Sequence, residues 1–398
     1  MRKKRLIKDR ILQGITYVAA SLSFILLTLV IAFVVYRGSA LLSFDLLVSD
    51  YNTKEHHTEV ISDDISSFEA PSLEDGEYFS ERYGVAFKDG KDREGDAVID
   101  LTYVDEDSPF RNLHDKDRDL DITLTDDYQV SRISFEEGET ALTRMGAKGM
   151  VDRLESGDTI NSIVLKDPGG GIRGSLVATL YLIGLTLLLA LPIGITTAIY
   201  LNEFAPPNRL TRTIRSFIDT LTGVPSIVYG LMAVVVFIPI TVKVMNANGT
   251  NIYAGAMTMA VILLPVLIKT VEETLAAVPD RFRHASIALG ATDTQTMWRV
   301  VLPVALPGIL TATFLSVGRI IGESAALIFV MGTAVRDSVD PANGATTLAV
   351  HIWSLMSREP ANVELASTIA MIILIVVLIL NTIIKLIAKK FDKIGVTR

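Results

Sequence analysis

The stretch from residue 11 to residue 36 contains no charged side chain. It is the first of six long apolar stretches, the others covering roughly 175–201, 217–240, 252–270, 304–333 and 365–387. A bilayer core asks for about 20 apolar residues in a helix. A chain that meets this demand repeatedly has few folds open to it, because in lipid only helices and closed barrels satisfy their own backbone. Hydrophobic residues make up 49% of the chain and mean hydropathy is +0.41, which an ordinary soluble protein does not reach. The reading is an all-α polytopic membrane protein with six transmembrane helices. Pro225 interrupts the third span at Gly223-Val-Pro225-Ser226, a break that lipid tolerates where a helix is packed or lines a cavity. The basic head MRKKRLIKDR resembles the start of a secretory signal, but the apolar run after it is about twice the length of a signal core. It is read as an uncleaved first span.

The charge is unevenly spread. Residues 45–167 hold 32 Asp/Glu against 13 Lys/Arg, while the rest of the chain holds 13 against 24. A basic balance can mark nucleic-acid binding. Here the bases gather at span ends, so topology explains them and no nucleic-acid partner is expected. Six Lys/Arg lie in the head, three in 202–215, three in 271–303 and five from Lys385 onward. On the opposite side the short loops carry Lys243, Arg336 and Arg358. By the positive-inside rule both termini are cytoplasmic, and residues 38–168 are an acidic extracytoplasmic insert. The chain thus reads as three parts: 1–37 (basic head and first helix), 38–168 (insert) and 169–398 (five further helices).

The insert is expected to be a small β-rich domain between the first and second helices. Apolar and polar residues alternate over 97–104, 120–125 and 128–135, 88–95 is turn-rich, 139–154 suggests a weak helix, and 49–72 reads as loop. Asp115, Asp117, Asp119 and Asp121 alternate like a calcium loop. Position six is Leu120 rather than Gly and position twelve is not Glu, so a solvated acidic connection is the reading and no metal is expected. With no cysteine there is no disulfide, thiol nucleophile or Cys metal site. No HExxH or GxSxG motif is present, and the triple glycine at 169–171 is not followed by the Lys of a phosphate-binding loop. The chain is not read as an enzyme. A membrane sensor would need a cytoplasmic output domain, for which the cytoplasmic segments are too short.

Between the fourth and fifth spans, 271–303 is polar, basic and helix-patterned. Pro279 suits a helix start. Phe282, Ala285, Ser286 and Leu289 fall on one face, Gly290 is placed to stop the helix, and Thr292 and Gln295 have capping-box spacing for a second helix. A DNA-binding helix-turn-helix shares this outline, but spans flank it on both sides. Within the fifth span, Arg319 and Glu323 stand four apart and are expected on one helix face. A charge at mid-bilayer costs on the order of 2.5–3.5 kcal/mol, so such residues face a bundle interior or a wet path. They form either a structural ion pair or an anion-handling site. Arg suits an oxyanion because its planar fork stays charged.

The loop resembles the coupling loop of ABC importer permeases, which carries a Glu-Ala-Ala triplet, a following Gly and a later Ile-x-Leu-Pro. The matching residues are His284-Ala285-Ser286, Gly290 and Val300-Val301-Leu302-Pro303. His284 stands in place of the Glu, and Ser286 in place of the second Ala. Arg319-Ile-Ile-Gly322-Glu323-Ser324-Ala-Ala resembles the Arg-x-x-Gly-Glu-Thr-Ala segment of phosphate-specific ABC transporter permeases. Residues 168–175, 200–205 and 222–230 are also similar, specifically to the A-type subunit (PstA). The resemblance covers the first span and residues 168 onward; the large insert departs from it.

The resemblance implies an ABC importer type I permease in a bacterial or archaeal cell membrane. It would form half of the path for inorganic phosphate beside a homologous C-type permease subunit. A cytoplasmic ABC ATPase dimer, which would hold ATP and Mg, would dock on the coupling loop, and an extracytoplasmic phosphate-binding protein would deliver substrate. Apart from membrane lipid, this chain would bind no cofactor. Arg319, Glu323, Ser324 and Ser226 would line the substrate path; Pro279, His284, Ala285, Ser286 and Gly290 would serve ATPase coupling. An ABC permease for another oxyanion, such as phosphonate or molybdate, is the alternative.

Overall fold

The computed structural model describes residues 2–60, 67–93, 95–124, 128–156 and 158–395. The chain divides into a helical unit, residues 1–42 with 174–398, and a β-rich unit, residues 43–173. Helix α1 (Arg2–Gly38) comes first and belongs to the helical unit.

The β-rich unit opens with α2 (Phe44–Val48). It then builds a single antiparallel sheet from β1 (Glu55–Val60), β2 (Glu77–Ser80), β3 (Val85–Lys91), β4 (Ala97–Val104), β5 (Asn112–Asp115), β6 (Leu120–Thr123), β7 (Gln129–Phe135), β8 (Ala141–Leu142) and β9 (Ile160–Lys166). The strands lie in the order β2-β3-β4-β7-β9-β1-β5-β6, with β8 paired to β7. Alternation drives the burial: in β4, Ile99 and Leu101 are fully buried. Helix α3 (Gly146–Leu154) buries Ala147, Met150, Val151 and Leu154, at helical spacing, in the same core.

Two expectations for this unit are corrected. The helix forecast over 139–154 begins only at Gly146, because Ala141 and Leu142 pair with β7. The loop forecast over 49–72 contains β1. Its inward residues are His56 and Thr58, so no hydrophobic alternation marks it. Two of their polar atoms are paired inside, His56 Nδ1 with Asp115 Oδ2 at 3.0 Å and Thr58 Oγ1 with the Ile163 carbonyl at 3.0 Å. Thr125, in the stretch 120–125 read as alternating, lies outside the described residues. Of the alternating aspartates, Asp115 holds His56 while its Oδ1 accepts from the Asp117 N–H, and Asp121 and Asp119 flank His114.

The helical unit continues with α4 (Arg173–Ile199), α5 (Arg209–Thr222), α6 (Ser226–Met245), α7 (Ile252–Ala276), α8 (Asp280–Ala288), α9 (Asp293–Thr296), α10 (Leu302–Gly322), α11 (Ala325–Met331), α12 (Leu348–Met356) and α13 (Val363–Gly395). A π turn, Tyr200–Phe204, extends α4, and another, Met297–Val301, joins α9 to α10. Among the described residues six helices are long and apolar enough to cross a membrane: Leu12–Gly38, Arg173–Phe204, Ser226–Met245, Ile252–Ala276, Asp293–Gly322 and Val363–Leu386. The fourth of these, α7, is the most enclosed. Its buried face packs with Leu182 of α4 and with Ile309 and Ala312 of α10 in one core.

Four features differ from the sequence reading. The polar loop forecast over 202–215 is largely helix. Asn208 caps α5 by accepting from the Thr211 N–H at 2.9 Å, and Ile214 and Ile218 pack on the core while Arg209 and Arg212 stay exposed. The third span therefore starts at Ser226, after the break at Pro225, rather than at 217. The fifth does not run to 333; it stops at Gly322. The loop forecast over 334–362 contains α12, capped by Thr347.

Candidate functional site

The residues singled out in the sequence fall at two places, each built on a helix break. At the first, α10 ends at Gly322 and Glu323 adopts extended backbone, φ −79° and ψ 128°. Gly318 and Gly322 are weak helix formers at this end. Glu323 is better used outside the helix: its Oε1 accepts from the Ala326 N–H at 3.3 Å, satisfying a donor in the first turn of α11. The expected shared helix face of Arg319 and Glu323 is thereby corrected. Glu323 lies beyond the end of α10, and the two form no ion pair. Among the described residues the Arg319 guanidinium has no hydrogen-bond or ion-pair partner, and the side chain is exposed. Gly318 and Gly322 beside it face open space.

The break in α10–α11 meets the break in α5–α6. A Cβ on Gly230 would sit 2.8 Å from both the Cα and the carbonyl oxygen of Ala326, so only glycine lets α6 approach α11 this closely. One helical position earlier, Tyr229 donates to the Leu221 carbonyl at 3.0 Å. Ser226 opens α6 and Ser324 precedes α11; both are half-buried, and neither hydroxyl is hydrogen-bonded among the described residues. The region therefore offers a permanent cation with a planar donor fork and two free hydroxyls. That set suits an oxyanion and is a poor surface for hydrocarbon.

At the second place, the loop between α7 and α10 folds largely as its sequence directs. Pro279 takes the N-cap position of α8 rather than the first helical one. At the other end Gly290 adopts φ +86°. Its N–H donates to Ile287 and the Ala291 N–H donates to Ser286, which closes the helix in the Schellman manner. Thr292 and Gln295 form the full capping box of α9. Thr296 Oγ1 donates to Ser286 Oγ at 2.8 Å and ties the two short helices together. His284, Ala285 and Gly290 are exposed. The expected apolar face is corrected: Phe282 packs inward, but Leu289 is 90% exposed, and Ile287 and Trp298 are exposed too.

The sequence reading missed Arg283 and Glu203. Glu203 lies in the π turn at the end of α4. Its two carboxylate oxygens receive Arg283 Nη2 at 2.7 Å and Nε at 3.2 Å. Arg283 also donates to the carbonyls of Leu275 (2.9 Å) and Val278 (2.7 Å) and to Asp280 Oδ1 (3.2 Å). The Glu203 carboxylate holds the guanidinium pKa above its ordinary value. The only sequence signal was a lone acid in the segment that follows the second span. Nearby, a cavity of about 370 Å³ is bordered by Asn202 and by two ion pairs joining α5 to α7, Arg215–Glu272 at 2.6 Å and Lys269–Asp219 at 3.1 Å.

Residues 190–393 match the family described as "Binding-protein-dependent transport system inner membrane component". A Bacillus subtilis protein named as an ABC transporter permease, YqgI, is 34% identical over 54% of this chain and 76% of its own length. The phosphate transport system permease protein PstA homolog of Mycoplasma pneumoniae is 33% identical over 56% of this chain but 34% of its own. PstA 1 of Mycobacterium tuberculosis (strain H37Rv) is 33% identical over 47% and 58%. The chain thus spans less than two thirds of the latter two relatives. Among solved structures, an inward-facing MetNI methionine ABC transporter matches at 23% identity over 57% of this chain and 96% of that one, with a TM-score of 0.44.

Proposed function

The chain belongs to the binding-protein-dependent transport system inner membrane component family, and on that premise we propose that it is the permease subunit of an ATP-driven importer of inorganic phosphate. Membership makes it a multi-pass membrane component of an ABC importer rather than an enzyme. Phosphate as substrate is our reading, supported by the names of the relatives. The observation that carries it is Arg319: an unpaired, exposed guanidinium at the end of a membrane span, next to a helix break. Bidentate N–H donors match the oxygen geometry of phosphate.

In this reading Arg319 receives the anion, and Ser226 and Ser324 donate and accept beside it. Glu323 caps α11 and keeps a negative charge close by, which aids release. The exposed face of α10 meets a homologous C-type permease subunit that completes the path. The termini and the loop between α7 and α10 are cytoplasmic. There His284, Ala285, Ser286 and Gly290, held by Pro279, meet an ATPase dimer that binds ATP and Mg. The β-rich unit lies outside, where a phosphate-binding protein delivers substrate. Transport is a change of access driven by closure of the ATPase dimer.

The test is labelled phosphate uptake by cells carrying the permease pair, ATPase and binding protein, with and without this chain. Uptake that requires the chain, and that arsenate but not molybdate competes away, supports phosphate. Competition by molybdate instead moves the substrate to another oxyanion. Arg319→Ala should abolish uptake while the complex still assembles; normal uptake in that variant removes Arg319 from the path.

A further inference from the structure

Motion at α8 has to reach the spans through bonds that do not slip. Phe282 packs into the core, but apolar contacts are non-directional and allow sliding. The Thr296–Ser286 bond is a single neutral contact that ties α8 to the start of the fifth span, not to α4 or α7. Among the described residues every hydrogen bond and ion pair from α8 to the ends of α4 and α7 runs through Arg283. Its guanidinium uses all five N–H donors: two on Glu203, two on the carbonyls of Leu275 and Val278, and one on Asp280. Glu203 is fixed in turn, with Asn202 Nδ2 donating to its Oε1 at 2.7 Å and the Ala205 N–H closing the π turn on the Tyr200 carbonyl. Both partners are largely shielded, with side-chain exposures of 17% and 12%.

We propose that the Arg283–Glu203 clamp is a positioning device that makes α8 and the adjoining ends of α4 and α7 move as one body, so that displacement of the coupling helix is delivered to two spans at once. The proposal deepens the permease reading and rests on it. Three elements converge on one planar group, and lysine cannot replace it. A Lys ammonium has three donors on a flexible stem and cannot grip a carboxylate in two places while holding two carbonyls. Removing the charge of Glu203 leaves Arg283 bound to α7 but loosens it from α4.

The experiment uses the whole transporter in proteoliposomes, comparing wild type with Arg283→Lys, Glu203→Gln and the double variant. Phosphate moved and ATP hydrolysed are measured together. The clamp predicts assembled complexes whose ATP hydrolysis stays within about twofold of wild type while phosphate moved per ATP falls tenfold or more. The double variant should be no worse than the worse single one, because both changes break one device. A wild-type ratio in either single variant overturns the proposal. So does failure of both variants to assemble, because a bond that only supports the fold would behave that way. If the wild-type complex carries another anion, the phosphate reading fails, and the same ratio measured with that anion still tests the clamp.

Discussion

Gly230→Ala is the sharpest probe of how the two helix breaks are held together. The added Cβ would lie 2.8 Å from the Cα and carbonyl oxygen of Ala326 and 3.2 Å from its carbonyl carbon. Optimal carbon contacts are near 3.5–4.0 Å, so the overlap with the Ala326 Cα is about 0.7–1.2 Å. The opposing atoms are backbone and cannot rotate away, so α6 and α11 must separate. Overpacking of this kind costs about 1–3 kcal/mol. Alanine recovers about 1 kcal/mol over glycine in a helix, which leaves a net loss of about 0–2 kcal/mol. Gly184 in α4 provides the control, because nothing lies within 4 Å of its Cβ position. Gly184→Ala keeps the propensity gain without the clash and should be neutral or stabilising by up to about 1 kcal/mol. Denaturant unfolding of the purified chain in mixed micelles should therefore place the two variants about 1–3 kcal/mol apart. Equal stabilities would refute the packing argument and with it the rigid junction beside Arg319.

Other outcomes follow from the same structure. Gly318→Leu, on a face open in the single chain, should leave the isolated subunit as stable as wild type but reduce phosphate uptake in the complex; unchanged uptake would mean that no partner or substrate meets that face. Gly290→Ala forces a side chain into φ +86° and should cost about 1–2 kcal/mol, read as faster proteolytic cleavage within 288–292. Thr292→Ala removes the capping box and should destabilise the loop by about 1 kcal/mol, with Thr292→Ser close to wild type; hydrogen exchange over 293–297 would register the difference. In the β-rich unit, the hydrogen bond His114 donates to the Asp121 carboxylate and the charges of Asp121, Asp119 and Glu59 raise the pKa of His114 above its ordinary value. Its contribution is thus fully present below the unfolded-state pKa and is lost as pH rises through the folded one. An NMR titration should show the raised pKa, and Asp121→Asn should lower it.

Much of this architecture is written in periodicity. Six apolar stretches fixed the number of spans because the bilayer sets a length that few other contexts require. The Pro279, Gly290 and Thr292/Gln295 punctuation marked the loop between α7 and α10 residue by residue, because caps act over three or four residues. Strand β4 was legible to its last residue, since one of its faces is buried and the other is not. Strand β1 was not, because its inward residues are His56 and Thr58, and only partners far along the chain, Asp115 and Ile163, make them suitable for burial.

The sequence by itself therefore determined the spans, the caps, the acidic insert and the candidate residues, since each depends on near neighbours or on the solvent. Only the tertiary structure decided what those residues do to one another. Arg319 and Glu323 look like a helical pair by spacing. They are parted because Glu323 satisfies the first turn of α11, a demand that exists only once α11 has formed. Arg283 and Glu203 stand eighty positions apart and carry no shared motif. Their bonds depend on where α4 and α7 end in space, and no local rule records that.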